Sequence, residues 1–194
     1  MDVPLGCACG AVQGVALDIT PSSGSRVVCC CDDCQKFAAQ LHPNADILDE
    51  FGGTEIFQIS QSQVRIESGI EHVRCLRLTS KGLYRWYTNC CNTPIGNSFN
   101  SRYPFFGVIH NFMRIENDRE AVLGKIRAYV QTKFAIGTPN YPHASEKFPV
   151  GITLRIIRKI LIWKLKGMNK PSAFFNDNGR AIIKPIVVSD ANAQ

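Results

Sequence analysis

Eight of the nine cysteines in this 194-residue chain fall in three short stretches. Cys7 and Cys9 form a C-x-C pair flanked by Gly6 and Gly10, and Cys29-Cys30-Cys31-Asp32-Asp33-Cys34 contains C-x-C-x-x-C. Cys90-Cys91 precedes Asn92-Thr93-Pro94. Zinc takes four tetrahedral thiolate or imidazole ligands, and ligands one or two residues apart on a tight turn reach one ion readily. Glycines beside Cys7 and Cys9 permit the close backbone approach such a knuckle needs. An odd number of cysteines cannot pair completely, and Met1 to Gly14 has neither the basic nor the apolar region of a secretory signal. Reduced thiols at these spacings point to metal ligation rather than to a disulfide framework.

The middle stretch offers Cys29, Cys31 and Cys34, three ligands that leave a fourth position for water or a substrate thiolate. Cys30 points elsewhere if the chain there is extended. The first and third stretches then share a second ion through Cys7, Cys9, Cys91 and Cys90. Cys90 enters last, because adjacent cysteines rarely serve one tetrahedral ion. Cys75 alternates between Val73 and Arg77 in a strand pattern and reads as a small buried hydrophobe. The cofactor expected is Zn2+, one or two ions.

The elements that hold these stretches read as mainly β. Short alternating runs at 10–19, 54–60, 63–68, 72–78, 83–87, 94–97 and 105–110 predict strands, separated by turn signals such as Glu67-Ser68-Gly69. A helical pattern runs from Asp32 to Leu48 and breaks at Pro43-Asn44, and another covers 119–131 around Gly124. Residues 137–149 are rich in Pro and Gly, and a last helix follows at about 151–166, with Ile152, Ile156, Ile160 and Trp163 on one stripe. Its stripe is expected to pack on the domain with its charges turned to water. The division expected is a zinc-binding β domain at 1–136 and a C-terminal extension at 137–194 carrying that basic amphipathic helix. With no signal and no run of roughly 18 apolar residues, the expected location is cytoplasmic.

The net charge of +6 is uneven. Arg155, Arg158, Lys159, Lys164, Lys166 and Lys170 stand in a stretch without an acid and equal the whole excess. That stretch has one aromatic residue, Trp163, and lacks the interleaved stacking residues of a nucleic-acid surface.

The motifs GCACGAV, CCCDDC and WYTNCCNTPIGN resemble those of the glutathione-dependent formaldehyde-activating enzyme and centromere protein V family. That family reads G-x-C-x-C-G-x-V, then C-H-C-x-x-C, then F-C-x-x-C-G-T-P, and the resemblance spans about residues 5–110. It implies a mainly β, Mss4-like fold with two zinc ions. Cys7, Cys9 and Cys91 match structural ligands, and Cys29, Cys31 and Cys34 match the ligands of an ion that accepts glutathione. Thr88 stands where the third motif has its first cysteine, Cys30 where the second has histidine, and Asn92 where the third has glycine. Threonine is a poor zinc ligand, so Cys90 replaces it through a rearranged turn, or the site is three-coordinate, or it is empty.

The activity this implies is a carbon–sulfur lyase acting on adducts of a small thiol such as glutathione with formaldehyde. Arg85 and His110 are candidates for a general acid or a carboxylate clamp, although a strand arginine is usually solvated and a lone histidine usually structural. The alternative is a non-enzymatic, zinc-stabilised scaffold that contacts a protein partner or an anionic membrane surface through its basic helix. A third reading makes the cysteines redox sensors.

Overall fold

The computed structural model describes residues 1–41, 47–116 and 118–188, and these form a mainly β structure with three α-helices. A small antiparallel sheet has the order β1 (Val3–Gly6), β2 (Gln13–Ala16), β5 (Val64–Ser68). A nine-stranded sheet is built on β3 (Ser25–Cys29), β4 (Thr54–Ile59), β6 (Val73–Arg77), β7 (Tyr84–Thr88), β8 (Pro94–Ser98) and β9 (Phe106–Ile109). Its edges are extended by two-residue strands β10 (Tyr129–Val130), β11 (Ala144–Ser145) and β12 (Ile186–Val187). The full order is β11-β10-β3-β4-β9-β8-β7-β6-β12. The helices are α1 (Asp32–Leu41), α2 (Arg119–Leu123) and α3 (Val150–Leu165).

Both faces of the large sheet are covered, so β3, β8 and β9 are buried at every position instead of alternating. Phe57, Ile59, Trp86, Phe106 and Val108 face the small sheet and share its core with Leu5, Val12 and Val64. Successive strand side chains point to opposite faces, and Val27, Cys29, Ile56 and Ile109 accordingly pack with Phe37, Ala38 and Leu41 of α1. The opposite faces of the sheet therefore serve different ends. One closes the main core and the other carries the middle cysteines.

Two helical expectations change. The first helix is described to Leu41, residues 42–46 lie outside the described residues, and Ile47-Leu48 is a turn. The second ends after Leu123, because Gly124 takes φ +77°, a left-handed conformation open to glycine. The chain beyond it supplies β10, which pairs parallel with β3 and satisfies the backbone edge there.

The segment after residue 137 is woven into the core. Phe174 is fully buried, stacks on Phe106 at 4.5 Å and lies 4.8 Å from the Trp86 ring, while Phe175 meets Trp86 edge-on at 5.7 Å. β12 adds to β6 at the sheet edge. Truncating a buried Phe leaves a cavity as well as losing its transfer energy. Phe174→Ala should therefore lower stability by about 3–5 kcal/mol in urea unfolding. A loss well under 1 kcal/mol would show that the segment merely rests on the surface.

Candidate metal centres

Two groups of cysteine sulfurs converge. Cys7, Cys9, Cys90 and Cys91 lie with all four Sγ atoms within 4.8 Å of one another, as do Cys29, Cys31 and Cys34, and each group could hold a metal ion. Cys7 and Cys9 sit in the turn between β1 and β2, where Gly10 adopts φ +79° and donates its N–H to the Cys7 carbonyl at 3.0 Å. The Val12 N–H reaches back to Cys7 Sγ at 3.2 Å. Cys90 and Cys91 sit in the β7–β8 turn. The sulfurs stand 3.6 Å (Cys7–Cys9), 3.8 Å (Cys7–Cys90) and 3.8 Å (Cys90–Cys91) apart. All nine cysteines are free, and these gaps far exceed a disulfide bond of about 2.05 Å.

The β7–β8 turn is rebuilt around Thr88. Its hydroxyl accepts from the Thr93 N–H at 3.1 Å and lies 3.5 Å from Cys91 Sγ, while Asn92 turns the chain with φ +53°. Asparagine tolerates this left-handed conformation better than most residues. The result brings Cys90, rather than Thr88, beside Cys7. Thr93 Oγ1 then joins both turns, accepting from the Ala8 N–H at 2.9 Å and touching Cys91 Sγ at 3.1 Å.

The second group is set by a strand end and a helix start. Cys29 ends β3, Cys34 lies in the first turn of α1, and Cys31 between them accepts the N–H groups of Cys34 and Gln35 at 2.9 and 3.2 Å. Cys30 faces away, toward Tyr141, which itself bonds Asp49 at 2.6 Å. Hydrogen bonds from Cys29 and then Cys34 bring the Cys31 thiol down to about 3, while sharing with Cys31 pushes Cys29 up. The bond with Cys29 pulls Cys34 down, but its bond with Cys31 and its burial raise it to about 12. In the first group burial opposes the change, yet Thr88 and Thr93 bring Cys91 down to about 5. Thiolates this close repel one another, and a cation among the sulfurs would relieve that repulsion. Cys75, buried in β6, is pushed up to about 12 by burial and belongs to the core.

The two groups differ in access. Cys29, Cys31 and Cys34 open onto a cavity of about 520 Å³ between the large sheet and α3. Arg85 lines it and is buried, contrary to the solvated strand arginine expected. It donates to Asp33 Oδ2 at 3.2 Å and to Asn97 Oδ1 at 3.4 Å, with its guanidinium 5.5 Å from the Phe37 ring. His110 lies in the short 3₁₀ turn after β9 and is not among the residues lining the cavity. Gln58, Asn97 and the α3 residues Ile156 and Ile160 also line it. Sequence spacing did not reveal these, since only strand register brings them together.

The chain belongs to a family of unknown function, DUF6151, whose model matches residues 1–185. No curated protein matches it. Among solved structures it is similar to a crystal structure of a Rhodobacter sphaeroides protein at 18% identity, covering 65% of this chain and 97% of that one, with a TM-score of 0.43.

Thr93 is the hydroxyl that locks the two turns of the four-cysteine group. Thr93→Val keeps its shape but removes the hydrogen bond to the exposed Ala8 N–H, which should cost about 0.5–1.5 kcal/mol. Thermal or urea unfolding reads this directly, and an unchanged midpoint would show that the bridge contributes nothing.

Proposed function

We propose that this DUF6151 protein binds two zinc ions of unequal character, one structural and one that presents an open position to a substrate thiol. Tetrahedral zinc with bonds of about 2.3 Å to sulfur sets ligand edges of about 3.8 Å. The separations of 3.6, 3.8 and 3.8 Å in the four-cysteine group support that ion. Four thiolates close a site, whereas three leave a position free. The observation that carries the functional reading is that the three-cysteine group, and not the other, opens onto the large cavity.

Cys29, Cys31 and Cys34 would hold the ion, which would supply a Lewis-acid position favouring an external thiol as its thiolate. The thiol sulfur then adds to a small aldehyde such as formaldehyde. The S–C bond forms, the C=O π pair moves to oxygen, and oxygen takes up the proton the thiol released. The product is a hemithioacetal, no oxidant is needed, and the reverse reaction is a carbon–sulfur lyase step. Arg85 supplies the buried positive charge beside the thiols, Asp33 holds its guanidinium, and mostly apolar side chains line the cavity. This is the chemistry implied by the likeness to the formaldehyde-activating and centromere protein V motifs, an Mss4-like family. Elemental analysis should find two zinc ions per chain, falling to one in Cys31→Ala. A Cys31→Ala variant that holds as many zinc ions as the unaltered protein contradicts the reading.

A second reading concerns α3. Val150, Leu154, Ile157, Leu161 and Leu165 form an exposed apolar stripe on its outer side. The charges expected in water are partly engaged: Arg155 bonds Ser25 Oγ at 3.2 Å, Lys159 bonds the Ser22 and Ser23 carbonyls, and Lys164 the Arg102 carbonyl. Burial first, and then Arg155, Arg127 and Arg158, bring Lys159 down to about 8, so a dense positive cluster borders the stripe. An apolar stripe edged by cations fits the surface of an anionic bilayer. Two copies meeting through it would set like charges together. No helix among the described residues is long and apolar enough to cross a membrane. The protein should cosediment with phosphatidylcholine–phosphatidylserine vesicles in a salt-sensitive way, and a Leu154→Glu/Leu161→Glu variant should stay in solution. Equal recovery of the two contradicts a membrane contact.

A further inference from the structure

The cavity beside Cys29, Cys31 and Cys34 has a built floor and a built roof. Its floor is one lateral row of the large sheet. Gln58 on β4 pairs with Gly107 on β9, Gly107 with Asn97 on β8, and Asn97 with Arg85 on β7. Gln58, Asn97 and Arg85 are all more than nine-tenths buried. A Cβ added at Gly107 would come within 2.8 Å of Ile56, so the glycine keeps the middle of this row low. The Oε1 of Gln58 has no hydrogen-bond partner among the described residues. A buried amide oxygen left unmatched is costly, and this one belongs to a residue lining the cavity.

The roof is apolar. Ile156 and Ile160 of α3 face the floor, Ile157 stands half-exposed at the rim, and Phe148, Phe99 and Phe105 complete the walls. The cation lining the cavity is Arg85, already paired with Asp33. Glutathione carries two carboxylates and an ammonium group. Burying them here would leave charges without partners, at a cost of several kcal/mol each.

We infer that the cavity takes an apolar thiol, alkyl or aryl, with one N–H or O–H donor for Gln58, rather than glutathione. The inference rests on reading the three cysteines as a thiol site and adds to it the class of thiol. A volume of about 520 Å³ lies in the range of small-molecule pockets, which pair mostly apolar walls with a few placed polar groups. The sulfur goes to the cysteine end, the donor meets Gln58, and the apolar body lies under Ile156 and Ile160.

Calorimetric titration of the full chain separates this inference from the metal reading. Zinc content is measured on the same sample, and the probe is N-benzyl-2-mercaptoacetamide, which joins a thiol, an amide N–H and an aryl ring. It should bind the zinc-loaded protein at least tenfold more tightly than glutathione. Gln58→Leu should weaken this probe more than it weakens benzyl mercaptan, which lacks the amide. Ile160→Asp should weaken both, and Phe99→Ala, a change at a partly exposed side chain, should do so without risk to folding. The metal-free protein should still bind the sulfur-free analogue N-benzyl-2-hydroxyacetamide, and Phe99→Ala should weaken that too. Glutathione binding as tightly as the probe overturns the inference while zinc at the cysteines stands. Failure of the sulfur-free analogue to bind overturns it as well. Absent zinc with retained analogue binding sinks the metal reading and leaves the apolar cavity.

Discussion

Sulfur atoms held a few ångströms apart are the constraint on which this structure turns. Seven cysteine sulfurs form two groups, each with its members within 4.8 Å of one another. Thiolates at that separation repel, and the protons that relieve them give up the ligand character such spacing otherwise provides. A dication among them would remove the conflict and would make binding free energy part of folding free energy. The four-cysteine group joins the small sheet to the β7–β8 turn of the large one. The three-cysteine group joins β3 to α1. The first brings together turns more than 80 residues apart in sequence, and the second fixes a strand to the helix that follows it.

The difference between the groups comes from what surrounds them rather than from the cysteines. Thr88 and Thr93 fill the space around Cys91 with hydroxyls and tie the two turns together. Around Cys31 there is instead a floor of buried polar side chains and a roof supplied by α3. One fold thereby supports a closed site and an accessible one.

Much of this was legible in the residues. The C-x-C and C-x-C-x-x-C spacings marked cysteines that converge, because such spacing survives any detail of the fold, and the β runs from 54 to 110 stood out by alternation. The α3 stripe gave the helix, placed within a residue of where it lies. The edge strands β10, β11 and β12 were not legible, since two residues carry no period. Helix 119–131 failed because Gly124 ends it and the sheet edge claims Tyr129 and Val130. Arg85 read as solvated because its strand partners, Asn97 and the row behind it, are assigned by register and not by local pattern. Thr88 gave no sign that Cys90 would lie beside Cys7, an approach that goes with the left-handed turn at Asn92.

X-ray absorption at the zinc edge tests the central claim most directly, because it reports the ligands and not merely the amount of metal. The account predicts a shell of sulfur at about 2.3 Å with a minor light-atom component from the open site. Adding the apolar thiol should replace that component with sulfur. A shell dominated by oxygen and nitrogen, or one unchanged by the thiol, would contradict the assignment of an open three-thiolate centre.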